Sequence, residues 1–265
     1  MIPFVKAHAC GNDFLIVEEV HAGANHAALA RRMCARHTGI GADGVEFVDR
    51  RSGFRLRLFN SDGTEAELSG NGTRCVAASL AESEGMERVV FETHGGPRSC
   101  RVMEREGRRF LIEGGMGVPR VMPRTIVVPE VGEVAGAMVN VGNPHFVMFV
   151  EAEEFGAYGL AWQELGRLVS GSPVFPHGTN VEFVRVRSAE EIEFRIFERG
   201  CGPTTSSGTG TCASSAAAMS LRGASRELTA VAEGGPQRVV WSEGGAEMLL
   251  TGPAEIVCTG EVGEA

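Results

Sequence analysis

Two short segments hold the residues best placed to do chemistry: Ser69-Gly70-Asn71-Gly72-Thr73 and Ser207-Gly208-Thr209-Gly210-Thr211. Each leads into an alanine-rich run, Val76 to Glu82 and Ala213 to Leu221, that reads as helix. Where a glycine-rich loop opens a helix, the first backbone N–H groups lack intrahelical partners and the dipole favours an anion, so a carboxylate is the natural guest. Two such loops suit a ligand gripped from two faces. Serine ahead of the glycines is also the ordinary N-cap residue, so the hydroxyls alone do not establish chemistry.

Other chemistries are excluded by composition. Lys6 is the sole lysine among 25 basic residues. A pyridoxal Schiff base needs a positioned lysine, and a Walker-type nucleotide loop needs one after its glycines. The seven cysteines (Cys10, Cys34, Cys75, Cys100, Cys201, Cys212 and Cys258) never fall in a C-x-x-C spacing. They give no metal or disulfide framework and fit a reducing compartment. A net charge of −9 argues against nucleic-acid and anionic-membrane partners. With no apolar run of about 18 residues and no apolar leader after Met1, a cytoplasmic protein is expected.

The elements that must position the two loops are duplicated. Gly11-Asn12-Asp13-Phe14 is answered by Gly142-Asn143-Pro144-His145-Phe146, and Val45-Glu46-Phe47-Val48 by Val181-Glu182-Phe183-Val184. Phe59, ten residues before Ser69, is answered by Phe197, ten before Ser207. The three offsets, 131, 136 and 138 residues, keep their order and grow slowly, which signals an internal repeat. Phe54 to Phe59 and Ile192 to Phe197 alternate apolar and polar, as half-buried strands do. Arg88 to Glu92, Arg109 to Ile112, Thr125 to Val128, Arg238 to Trp241 and Glu247 to Thr251 add short strands. The expectation is an α+β protein of two pseudo-symmetric lobes: residues 1–115, with 255–265 returning to them, and residues 116–254.

The residues around the loops match a family. Lys6 to Phe14, Gly39-Ile40-Gly41-Ala42-Asp43, Phe59 to Glu65, Gly70 to Cys75, Gly142 to His145, Thr179-Asn180-Val181 and Glu198-Arg199-Gly200 together resemble diaminopimelate epimerase, from about Pro3 to the helix after Cys212. The resemblance implies two α/β lobes with the active-site cleft between them. It also implies a cofactor-independent isomerase, holding no metal, that interconverts LL- and meso-diaminopimelate by two-base proton transfer in lysine and peptidoglycan precursor biosynthesis. Carried over by position, Asn60, Asn180 and Arg199 hold the distal amino-acid end, and Asn12 and Asn143 complete the pocket. Gly70, Asn71, Gly208 and Thr209 bind the proximal carboxylate, with Glu198 and His145 beside the reacting centre. The expected partners are the amino-acid substrate and, as an open option, a second copy of the chain.

The sequence departs from the family at the reacting atoms. Ser69 and Ser207 stand where the family carries its two catalytic cysteines, Pro203 replaces a common glutamate and Gly44 a frequent glutamine. A serine hydroxyl is a far weaker acid than a thiol, whose reference pKa is about 8.5. Three readings follow: serines that catalyse with help from Glu198 or His145; a protein, natural or a Cys-to-Ser variant, that binds the amino acid without turnover; or a same-fold isomerase for another small acid.

Overall fold

The computed structural model describes residues 1–243 and 245–263. The chain divides into two compact units, residues 1–115 together with the chain from Thr251 on, and Met116–Leu250. Residues 251–254, assigned by sequence to the second lobe, therefore lie in the first unit. Of the tail expected to return there, residues 264 and 265 fall outside the described residues.

The first unit contains β1 (Ile2–Ala9), β2 (Asn12–Glu18), α1 (His26–Cys34), β3 (Gly44–Asp49), β4 (Phe54–Asn60) and β5 (Glu65–Ala66). It continues with α2 (Gly70–Glu84), β6 (Arg88–Thr93), β7 (Gly96–Glu106) and β8 (Arg109–Gly115). The second unit contains β9 (Arg120–Val128), β10 (Gly132–Asn140), β11 (Pro144–Phe149), α3 (Trp162–Ser170), β12 (Asn180–Ser188) and β13 (Glu191–Glu198). Then come β14 (Gly202–Thr204), α4 (Gly208–Leu221), β15 (Glu227–Ala232) and β16 (Gly235–Val240). The last strand, β17 (Leu249–Val262), brings the chain back to the first unit, where it pairs antiparallel with β1 from Ile2↔Val262 onward.

Both units share one frame. β2 and β3 pair in parallel across a connection carrying α1, and β3 pairs antiparallel with β4. Likewise β11 and β12 pair in parallel around α3, and β12 pairs antiparallel with β13. The register aligns Phe14 and Gly44 in one unit with His145 and Asn180 in the other. Parallel central strands covered on both faces lose the polar alternation, and β3 is buried from Gly44 to Val48.

The two alanine-rich helices are enclosed. α4 is buried without a break from Gly208 to Met219, against Val139, Phe194, Ile196, Leu228 and Val239. α2 packs on Phe14, Ile16, Leu58, Phe91 and Ile112. A helix apolar on all sides needs such a jacket of strands. Both helices start one turn earlier than the alanine runs suggest, at Gly70 and Gly208. Ser69 Oγ accepts from Gly72 N at 3.0 Å and Ser207 Oγ from Gly210 N at 3.2 Å, so the glycine-rich stretch forms the first turn. The expected strand at Glu247 to Thr251 is instead the beginning of the 14-residue β17.

Candidate functional site

In the first unit, the serine-glycine turn is joined to the β1–β2 hairpin. Arg74 Nη2 donates to Asn71 Oδ1 at 2.7 Å, Asn71 Nδ2 to Asn12 Oδ1 at 3.2 Å, and Asn12 Nδ2 to Asp43 Oδ2 at 2.7 Å. Arg74 and Asn71 are each 1% exposed. Arg36 holds both Asp43 and Asp13, and the lone lysine, Lys6, pairs with Asp13 at 3.1 Å. Burial lifts the Asp13 carboxyl, but the hydrogen bonds from Arg36 and Lys6 outweigh it and leave it below its ordinary value. The β4 end is tied differently: Asn60 Nδ2 donates to Thr64 Oγ1 at 3.0 Å. Behind the turn lies Glu46 of β3, 1% exposed. A Cβ on residue 72 would sit 2.0 Å from Glu46 Oε1, so only glycine lets this carboxyl approach the turn. Burial pushes Glu46 up to about 8.

The second unit places a hydrogen-bonded chain in the same frame. Glu182 Oε1 lies 2.6 Å from His145 Nδ1, and His145 Nε2 lies 2.8 Å from Asn143 Oδ1. Asn143 Nδ2 donates to Thr209 Oγ1 at 3.3 Å, and Thr209 Oγ1 is 3.4 Å from Ser207 Oγ. Glu198 Oε1 accepts from Thr204 Oγ1 at 2.9 Å. Burial lifts the Glu198 carboxyl above its usual value, against the lowering effects of Thr204, His145 and Ser207. Glu182, wholly buried, is raised by the same cause, opposed by His145. Gly210 leaves room for this pair, since a Cβ there would lie 2.5 Å from Ile196 Cδ1 and 3.1 Å from Glu182 Oε1.

The structure thus brings Asn12 and Asn71 together in one unit, and His145, Asn143, Thr209, Ser207 and Glu198 in the other. Gly70 and Gly208 open the two helices. Asn180 is committed to the backbone: its Nδ2 donates to Pro144 O and its Oδ1 accepts from Arg199 N, both at 3.0 Å. It therefore fixes the β13 end that presents the exposed Arg199. Sequence reasoning missed Glu46, Glu182, Arg74 and Asp43 as parts of these networks. The signal for the glutamates was a charged residue inside an apolar strand, at matching positions of both repeats.

Cys75 and Cys212 are fully buried in the two helices. Burial pushes the Cys75 and Cys100 thiols up, the latter to about 12, so neither is a ready thiolate. Cys201 is exposed in the loop before α4. Among the described residues no cluster of three or more His, Cys, Asp or Glu could hold a metal, and no helix is long and apolar enough to cross a membrane.

The diaminopimelate epimerase family model matches residues 4–122 and 137–257. A diaminopimelate epimerase of Pelotomaculum thermopropionicum is 38% identical, covering 97% of this chain and 98% of the relative. One of Nostoc punctiforme is 35% identical over 98% and 99% of the two chains. Among solved structures, a predicted epimerase from Pseudomonas aeruginosa superposes with TM-score 0.76 at 14% identity over the full length of both chains. A hydroxyproline epimerase from Agrobacterium vitis does so with TM-score 0.74 at 16% identity, over 98% of this chain and 91% of that one. These two share the fold. By its sequence over nearly its whole length, the chain belongs to the diaminopimelate epimerase family.

Proposed function

We propose that this protein is a cofactor-independent amino-acid epimerase of the cytoplasm that interconverts LL- and meso-diaminopimelate, serving lysine and peptidoglycan precursor synthesis. The observation that carries the reading is the hydrogen-bonded chain His145–Asn143–Thr209–Ser207, which ends at the anion-attracting start of α4. The first-turn amides at Gly208-Thr209 and Gly70-Asn71 take the substrate's α-carboxylate and offset the charge that develops on it. The Glu198 carboxylate accepts the α-proton: the C–H bond breaks, a Glu198 O–H bond forms, and the electron pair passes into the bound carboxylate. The Ser69 hydroxyl returns a proton to the opposite face, and exchange with solvent then takes the proton from Glu198 and restores that of Ser69. Asn60, Asn180 and Arg199 take the distal end, where a guanidinium suits a bidentate carboxylate contact.

Incubation with LL- or meso-diaminopimelate in D₂O, followed by NMR, tests this. The expected result is α-proton exchange with mixing of the two isomers, reduced about a thousandfold in Glu198→Gln, within the range for a lost general base. Parent protein that exchanges nothing, while Ser69→Cys plus Ser207→Cys does, would overturn turnover and leave a binding protein.

A further inference from the structure

The first unit holds a carboxyl that the chemistry above does not use. Glu46 lies in the middle of β3, beside its register partners Ile16 of β2 and Leu58 of β4, and is 1% exposed. Its Oε1 rests against the first turn of α2. A Cβ on residue 72 would sit 2.0 Å from that oxygen and 3.2 Å from Ser69 Cβ. Adding a C–C bond of about 1.5 Å puts the oxygen within about 3.5 Å of Gly72 Cα. One residue back is the Gly70-Asn71 segment whose amides open the helix. β2 and β4 present only the apolar Ile16 and Leu58 to Glu46. The titratable and charged groups around this corner of the core are Arg74 and Cys75 of α2, Cys100 of β7, and Cys10 and Asp13 of the β1–β2 hairpin. Arg74 is turned to Gly70 O and Asn71 Oδ1. Burial is what acts on the Glu46 carboxyl, and it lifts the group to about 8.

We infer that Glu46 is a binding determinant of the site: its carboxyl and the substrate's α-carboxylate compete for the positive start of α2, and the substrate is held tightly only while Glu46 carries its proton. This deepens the proposed epimerase reading and rests on it. An ionised Glu46 sets a negative charge in the same field that the first-turn amides offer to the ligand. Two like charges roughly 10 Å apart in a protein interior weaken one another's binding on the order of tenfold. By linkage the effect is mutual, so an arriving carboxylate draws a proton onto Glu46. The sign follows from burial: affinity is highest where Glu46 is neutral and falls as pH rises through 8. Gly72 is what permits the approach, since any side chain there would displace the carboxyl.

Calorimetric titration with an equilibrated mixture of LL- and meso-diaminopimelate, from about pH 6.5 to about pH 9, tests this without any need of turnover. Circular dichroism at each pH checks that the protein is folded. The comparison is with Glu46→Gln, which keeps the shape of the side chain and has no charge to gain. Between the two ends of the range, the dissociation constant of the parent should rise at least about fivefold more than that of Glu46→Gln. At about pH 8.5, in buffers of different ionisation enthalpy, the parent should take up about half a proton per ligand more than the variant. The ammonium groups of the ligand titrate alike in both proteins and cancel in the difference. Glu46→Leu, which suits the neighbouring Ile16 and Leu58, should behave as Glu46→Gln does and decides alone if that variant does not fold. Binding that depends on pH equally in parent and variants, or with equal proton uptake, would overturn the inference and leave the epimerase reading standing. Absence of binding at about pH 6.5 in parent and variants alike would overturn the epimerase reading, and the inference with it.

Discussion

In the first unit hydrogen bonds pass from Arg74 through Asn71 and Asn12 to Asp43, leading from the helix to the hairpin. In the second, Asn143 Nδ2 donates to Thr209 Oγ1, leading from the hairpin to the helix. The backbone frame is the same, so the reversal comes from side chains. In register, Phe14 answers His145 and Gly44 answers Asn180. By the same repeat, Asn71 answers Thr209, Arg74 answers Cys212 and Asn60 answers Glu198. The first unit anchors its chain at both ends with charges, Arg74 and Asp43, and leaves Ser69 as the cap of α2. The second ends at Ser207, the cap of α4. The two units share one backbone scaffold, and a handful of side-chain differences give its central hydrogen bond opposite direction.

The contrast can be broken at its most buried point. Glu46 lacks the histidine that Glu182 has, because Phe14 fills that place. Its folded value of about 8 exceeds the ordinary 4.5, so the folded state binds the extra proton. Its contribution to stability is therefore full below about pH 4.5 and is lost as pH rises toward 8. Urea midpoints of the parent should fall over that window by up to about 5 kcal/mol in stability, at about 1.4 kcal/mol per pKa unit. Glu46→Gln should lose the part of that slope that Glu46 supplies; an unchanged slope would show that Glu46 is not held protonated by burial.

Next in size is the difference between the serines. Either alanine variant forfeits a helix cap, at about 1 kcal/mol of stability. Ser207→Ala should also lower kcat about a hundredfold in both directions of epimerisation, as loss of assisted proton transfer does. Ser69→Ala should shift the midpoint of the acid limb of its pH profile less than Ser207→Ala does, and equal shifts would erase the proposed asymmetry. Smallest is Thr204→Val, which removes one hydrogen bond to the Glu198 carboxylate, worth about 1 kcal/mol. That bond lowers the Glu198 value, so the variant should titrate at higher pH, moving the acid limb of kcat up by less than about one unit.

Much of this frame is readable in the residues themselves. Phe54 to Phe59 and Ile192 to Phe197 show strand alternation because one face of each is less covered, and the paired glycine turns announce the helix starts. β17 is hidden because its Gly252-Pro253 and Thr259-Gly260 steps look like turns, while pairing with β1 keeps Thr259-Gly260 extended. α3, with Trp162, Leu165 and Val169 on one face, repeats at helical spacing but is too short to stand out beside its neighbouring loops. The direction of the hydrogen-bond chains could not be read at all. Asparagine, threonine and serine each donate or accept, and only the partners that packing brings to them choose between the two.

The return of β17 to β1 has a bearing on synthesis. Met116–Leu250 is an uninterrupted stretch, whereas β1 waits for residues as late as Val262. On the ribosome, where domains ordinarily fold in the order they emerge, the unit that starts first is the one that finishes last. Until then the edge of β1 and the apolar side chains of β17's future partners stay open, so the first unit is the half for which a chaperone has most to shield.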